Sequence, residues 1–386
     1  MITRVHIKSF RSCEDVLLEN IGLVLALVGR NGAGKTNILR AIDLVAKQAT
    51  TELARVGGHS IAVDVDLDNQ RLRYEQNYSV HLEKNADGKR SPPYRRISEH
   101  LIDLNNNVII FSRTESILSL IGHDDFTISR TTPALKAITS LFPEHKNISE
   151  MTRLLSFFSR IHYSPLVELD SCDEPHWIFG DEYREFKDEY AILDGPERFV
   201  TKTLVYLQKE ENERFKEIEA ILGPSGLGIF DRILVINHAT TRQAQQKEPS
   251  EKPVIYSVEF KLIESETRRR FSQLSLGTRR VVRLVLQLTD SRNAALLFEH
   301  PEDGIHRGLL TKVVDIIRTN ADPLQVLMTS HSPYVLNSLT AENIRLVYFQ
   351  KGMTRCRSLS TEEQRHAASY LEKEGTLSEF IELIEE

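Results

Sequence analysis

The stretch Gly29 Arg30 Asn31 Gly32 Ala33 Gly34 Lys35 Thr36 decides the fold. It reads G-x-x-x-x-G-K-T. Directly before it, Leu23 to Val28 is an unbroken apolar run of strand length, and directly after it Asn37 Ile38 Leu39 Arg40 Ala41 Ile42 repeats its apolar positions at helical spacing. Strand, glycine loop and helix in that order form a cradle in which backbone N–H groups wrap a triphosphate. Side chains would block that approach, so Gly29, Gly32 and Gly34 keep the loop open. The helix starting near Lys35 adds its positive end. Lys35 then reaches the outer phosphates as a mobile charge, and the Thr36 hydroxyl is placed to ligate Mg²⁺. Gly29, Arg30, Asn31, Gly32, Ala33, Gly34, Lys35, Thr36 and the next residue, Asn37, are therefore the expected nucleotide contacts. A glycine turn that binds nothing would not need all four fixed positions and both flanks.

A chain of 386 residues with 40% hydrophobic content can bury a substantial core, and its length suggests two or three lobes. The formal net charge of -6 argues against coating nucleic acid by bulk electrostatics, so DNA contact would have to come from a local basic patch. Cys13, Cys172 and Cys356 are far apart with no C-x-x-C pair, which indicates neither a disulfide framework nor a zinc site and fits a reducing cytoplasm. The N-terminus alternates like a strand, from Met1 to Ile7, with no signal-peptide apolar region, and no stretch is long enough to span a membrane.

Around the loop, Val5 to Ile7 and Asp15 to Leu18 read as strands, residues 60–80 as an antiparallel hairpin turning at Asp68 Asn69 Gln70, and Val108 to Phe111 as a further strand. Asp87 to Pro93 reads as a basic, turn-rich surface loop. From about Thr114 to Leu222 the periodicity is helical, through Leu135, Ile138, Met151, Leu154 and Phe158, and predicts an inserted helical lobe. Cys172 to Asp188, with the only tryptophan, Trp177, reads as a surface excursion pinned by a buried aromatic. One long amphipathic helix is expected from Pro196 to Ile221, ended by Gly223. Two strands, Ile233 to Ile236 and Val254 to Phe260, flank the polar run from Thr240 to Lys252.

A second cluster of chemistry follows. Ser275 is a good N-cap for the helix through Leu288, and Gly277 lets backbone approach an anion at that helix end. Ala295 to Phe298 runs as a buried strand into Glu299 His300 Pro301 Glu302 Asp303, and Val326 to Thr329 forms another strand into Ser330 His331 Ser332. Acids and histidines just beyond strand C-termini are where an open α/β sheet places its ligand. Arg279, Arg280 and Arg283 form a basic helix face, open to phosphate or to solvent.

These motifs, in this order, resemble the ABC-type ATPase heads of the RecF, SMC and OLD class, labelled AAA family ATPases in prokaryotes, here without a Toprim domain or a long coiled coil. The resemblance implies an α/β, P-loop NTPase fold of the ABC-ATPase type: a mixed sheet with an N-terminal antiparallel subdomain and an inserted helical lobe. The corresponding division is 1–113, 114–230 and 231–386. In that class the glycine loop is Walker A, Leu274 to Gly277 looks like the signature motif, Leu296 to His300 like Walker B, Glu302 to His306 like the D-loop, and Thr329 to Ser332 like the switch-histidine motif. Glu299, His300 and His331 are then the catalytic candidates, Thr36 and Glu299 the Mg²⁺ ligands, and Ser275 and Gly277 further ATP contacts.

Two departures stand out. The class carries aspartate then glutamate at the end of Walker B, and this chain has Glu299 then His300. Glu299 keeps a carboxylate for the metal. His300 replaces the residue that orients the attacking water, which implies slow or conditional hydrolysis, with a fully active histidine base as the competing reading. No glutamine stands where a Q-loop is expected: the chain reads Ser112 Arg113 Thr114 Glu115.

The resemblance further implies an ATP-sandwich homodimer or higher homo-oligomer, Ser275 and Gly277 of one copy completing the site of the other. About fifty residues follow Ser332, too few for an ordinary nuclease domain. The expectation is therefore a cytoplasmic ATPase that senses or regulates in anti-phage defence with a partner nuclease or toxin. The alternatives are a RecF-like DNA repair factor, using basic segments Lys89 to Arg96 and Arg268 to Arg270, and a nucleotide-binding scaffold without turnover.

Overall fold

The computed structural model describes residues 1–51, 57–81, 94–165, 174–190, 199–238, 254–320, 323–372 and 376–385. The chain forms two compact units, Met1–Tyr163 with Arg292–His300 and Ala321–Glu386, and Ser164–Ser291 with Pro301–Asn320.

The first unit carries two sheets. The antiparallel sheet runs in the order Cys13–Leu18, Ile2–Phe10, His59–Leu67, Gln70–His81, Tyr94–Asp103, Val108–Thr114, Ile117–Leu120, Phe126–Thr127. Period-two alternation puts Ile61, Val63 and Val65 on its buried face. The expected hairpin is present, and Asp68 and Asn69 both take positive φ, 52° and 69°, the conformation of a two-residue turn that matches strand twist. The second sheet runs in the order Ile161–Ser164, Ala295–Glu299, Gln325–Ser330, Val24–Val28, Ile344–Gln350, Met353–Ser358. Its four central strands are parallel. Val24–Val28 and Ala295–Glu299 are buried at every position, as strands covered on both faces must be. The Gln325 amide ties the sheets together, accepting from the Ile2 N–H and donating to the carbonyls of Ile2 and Gly22, each at 2.8 Å. The fold is thus the mixed α/β arrangement with an N-terminal antiparallel sheet that the motifs implied.

The expected division at 113 and 230 does not match the units. The helices Ala134–Leu141 and Ile148–Ser159 belong to the first, because Leu135, Ile138, Met151, Leu154 and Phe158 bury themselves in the same core as the helix Lys35–Thr50 and the antiparallel strands. Helical periodicity shows which face is apolar, not which sheet receives it.

The second unit packs the helices Gly180–Glu189, Val200–Glu210, Asn212–Leu222, Leu276–Leu288 and Arg307–Asn320 with a small antiparallel sheet of Ile178–Phe179, Ile255–Leu262 and Phe230–Asn237, the short strand Arg268–Arg269 also pairing with Ile255–Leu262. The long helix expected from Pro196 is two helices broken at Glu211. Glu174 caps the first of them, accepting from the N–H groups of Val200 and Thr201 at 2.9 and 3.1 Å and from the Thr201 hydroxyl at 2.9 Å. Trp177 does not pin the excursion around it: it is 44% exposed, and Tyr183 and Phe186 are the buried aromatics. Asp87 to Pro93, Cys172, Pro196 and the run from Thr240 to Lys252 lie outside the described residues. No described helix is long and apolar enough to cross a membrane.

Candidate nucleotide-binding site

The register of the parallel strands assembles the site. Glu299 stands opposite Thr329, and Thr329 opposite Leu27, so three strands end level with one another. The residues that follow, His300, His331 and Gly29, therefore emerge along one sheet edge.

The glycine loop has the geometry its composition requires. Gly29, Gly32 and Gly34 take φ of 149°, 81° and 101°, the left-handed region that side chains disfavour. Space is restricted as well: a Cβ on Gly29 would overlap the Val347 carbonyl oxygen, and one on Gly34 would overlap the Thr354 side chain. Gly34 is the N-cap of the helix Lys35–Thr50 and has no side chain to occupy the helix end. The buried Lys35 ammonium donates to the carbonyls of Gly29 (2.6 Å) and Arg30 (3.1 Å), which holds its charge against the loop. Asn31, Gly32, Gly34, Lys35, Thr36 and Asn37 line a cavity of about 250 Å³ together with His300.

His300 has φ of 43°, a left-handed conformation that costs a non-glycine residue on the order of 1 kcal/mol or more. Its N–H donates to the Thr329 carbonyl and lies equally close, 3.1 Å, to the Thr329 hydroxyl, which fixes the turn. The His300 ring lies 5.0 Å from the His331 ring. His331 also borders a second cavity of about 280 Å³ with Gly29, Arg30, Asn31, Leu336, Ser378 and Ile381.

Glu299 is buried, and its surroundings were not foreseen. The Tyr163 hydroxyl donates to Glu299 Oε1, Arg40 Nε donates to the Tyr163 oxygen at 3.0 Å, and the same Nε lies 3.8 Å from Oε1. Burial, and then the carboxylate as hydrogen-bond acceptor, push the Tyr163 phenol well above its ordinary range, so it stays a donor. Arg40 follows Thr36 by one helical turn, and Tyr163 lies on the strand beside Glu299, but neither belongs to a motif. Thr354 and Ser12 were missed for the same reason. The Thr354 hydroxyl accompanies the loop by donating to the Ala33 carbonyl at 2.9 Å, and Asn37 is drawn to the Ser12 hydroxyl at 2.8 Å and to Arg11 at 3.2 Å.

Hard oxygen ligands suit Mg²⁺: Thr36 lines the cavity beside the glycine loop, and its hydroxyl and the buried Glu299 carboxylate are the oxygen groups that would hold the ion. Ser275 and Gly277 lie in the second unit. The Ser275 hydroxyl caps its helix by accepting from the Thr278 N–H at 3.2 Å, and a Cβ on Gly277 would overlap the Gly304 carbonyl, so packing alone requires that glycine. Two of the three arginines on this helix's basic face are engaged: Arg280 donates to the Asp303 carbonyl, and Arg283 pairs with Glu174 at 3.2 Å and lies over the Phe271 ring. At the expected Q-loop position, Arg113 is buried in an ion pair with Glu99. Arg268 pairs with Glu259, and Arg270 lies 5.7 Å from the Trp177 ring.

Residues 1–111 match a family model described as "AAA ATPase domain", and residues 153–337 one described as "AAA domain, putative AbiEii toxin, Type IV TA system". An OLD nuclease of Thermus scotoductus is 58% identical over 45 residues, 12% of this chain and 8% of that protein. An uncharacterized protein of Methanocaldococcus jannaschii is 43% identical over 44 residues, 11% of this chain and 20% of that protein. The matches thus span a small part of either relative. The SMC head crystallised with the C-winged helix domain of ScpA is similar in fold, with a TM-score of 0.50 and 16% identity over 94% of this chain and 99% of that one. Both family models fall on AAA ATPase domains, the glycine loop and the Glu299 strand occupy one sheet edge, and the fold is similar to that of an SMC head: the chain carries AAA ATPase domains on a fold of that kind.

Proposed function

We propose that this chain binds ATP with Mg²⁺ and hydrolyses it slowly, that ATP joins two copies, and that the assembly is a cytoplasmic sensor or regulator of anti-phage defence acting with a nuclease or toxin. One observation carries the catalytic part: His300 lines the same cavity of about 250 Å³ as Lys35 and Thr36.

Lys35 binds the outer phosphates, exchanging its loop carbonyls for them, and Thr36 with Glu299 hold the metal shell. Mg²⁺ neutralises charge on the phosphates and orders their oxygens. His300 stands in for the usual glutamate. A neutral ring at that position offers the attacking water one acceptor nitrogen and no negative charge where a carboxylate offers two charged oxygens, which supports slow turnover, and His331 beside it senses the terminal phosphate. Ser275 and Gly277 of a second copy close the site, making ATP the interfacial ligand. The partner reading is supported by the toxin–antitoxin description of one family model and by the OLD nuclease relative.

The test uses the full chain. Lys35→Ala is expected to weaken ATP binding at least a hundredfold in a fluorescent-nucleotide titration, and unchanged binding overturns the reading. His300→Ala is expected to abolish residual phosphate release while leaving binding within twofold. Release at the wild-type rate removes His300 as the base, and no release from wild type leaves a nucleotide-binding scaffold.

A further inference from the structure

We propose that Tyr163 and Arg40 are positioning residues for the metal shell: they hold Oε1 of Glu299, so that the carboxylate serves Mg²⁺ through Oε2 alone. The inference rests on the reading of this site as one for Mg²⁺ and nucleotide.

Three observations carry it. The first is the length of the side chain. A glutamate at this position places its carboxylate one methylene further from the strand than an aspartate and adds a rotor, so its oxygens need fixing if they are to meet a metal of strict octahedral geometry. The second is where the contacts fall. Both Tyr163 and Arg40 approach Oε1, and among the described residues no hydrogen bond reaches Oε2. Arg40 Nε–H donates to the Tyr163 oxygen and Tyr163 O–H donates to Glu299, a chain of donors running in one direction in which each bond polarises the next. The third is the helix. Thr36 and Arg40 are four residues apart on the helix Lys35–Thr50, hence on one face, and Arg40 approaches Oε1 to 3.8 Å, so the arginine that meets Glu299 comes from the face that carries Thr36.

The arrangement has a bracing function that Glu299→Asp would dispense with, since the shorter side chain withdraws its oxygens from the tyrosine. Losing an outer partner of a metal ligand typically weakens metal binding by about ten- to a hundredfold.

The experiment compares wild type, Tyr163→Phe, Arg40→Gln, Glu299→Asp and the double variant Tyr163→Phe/Glu299→Asp as full-length chains. Mn²⁺ affinity is measured by EPR at saturating non-hydrolysable ATP analogue, and affinity for fluorescent nucleotide is measured in EDTA. Tyr163→Phe is expected to weaken Mn²⁺ binding about tenfold while nucleotide affinity in EDTA stays within twofold. In the Glu299→Asp background the same substitution is expected to change Mn²⁺ affinity less than twofold. The proposal is overturned if Tyr163→Phe and Arg40→Gln both keep wild-type Mn²⁺ affinity, or if the tenfold loss persists unchanged beside Asp. Arg40→Gln supplies the answer should Tyr163→Phe fold poorly. A wild-type chain that binds no nucleotide overturns the nucleotide reading and this one with it; nucleotide binding in EDTA with metal affinity unmoved by the variants overturns this one alone.

Discussion

Glu99 and Glu299 are each held by a tyrosine hydroxyl and an arginine, Tyr74 and Arg113 around the first, Tyr163 and Arg40 around the second. The residue types are the same and the outcomes differ. Around Glu99 every valence is used: Arg113 Nη1 donates to Oε1, Tyr74 to Oε2 at 2.6 Å, and the Ala134 N–H at the start of its helix lies 3.3 and 3.1 Å from the two oxygens. Arg113 spends its remaining donors on the carbonyls of Glu115, Ser129, Arg130 and Thr132, and is 0% exposed. Burial pushes the Glu99 carboxyl above its usual range, and these donors oppose the shift. Around Glu299 both contacts crowd one oxygen, and the arginine side chain is 40% exposed. A closed network rigidifies a core, whereas an open one at a strand C-terminus is a place for a ligand.

The comparison can be broken most forcefully at its closed end. Arg113→Met strands a carboxylate in the core and is expected to cost about 3–5 kcal/mol in urea unfolding at pH 7. A loss under about 1 kcal/mol would mean that the network does not carry the local structure. Tyr74→Phe sharpens the contrast: it leaves Glu99 Oε2 short of a donor and is expected to cost about 1–3 kcal/mol without touching nucleotide affinity. Its counterpart Tyr163→Phe is expected to cost less stability and to act on the metal instead. Equal stability losses with metal affinity unchanged in both would erase the distinction. The smallest effect belongs to a surface pair. Arg357 grips Glu363 through two bonds of 2.7 and 2.8 Å, and that hydrogen bonding holds the carboxyl at about 2 against an ordinary 4.5. The folded state thus favours the ionised form, so the stabilisation is present above pH 4.5 and is lost as pH falls towards 2. Wild type should exceed Glu363→Gln in stability by at most about 1 kcal/mol near neutrality, with the gap closing in acid melting curves.

The turns of the glycine loop, the strands around it and the Ser275 cap were all legible, because each is a pattern of neighbours: glycines where backbone must turn, alternation for strands, a hydroxyl ahead of a helix. The helices after Thr114 were legible as helices and misassigned as a lobe, since an apolar stripe does not name the surface it covers. Arg113, noticed only as a missing glutamine, proved to be a core residue.

Sequence by itself therefore determined the glycine loop between its strand and helix, and it set Glu299 and His300 at the end of a buried parallel strand. Tertiary structure decided what those residues meet. Tyr163 stands 123 positions from Arg40 and 136 from Glu299, and it was strand order and register that made them neighbours. Contacts at such separations leave no period in the chain, because they are selected by the packing of whole elements and not by the spacing of residues.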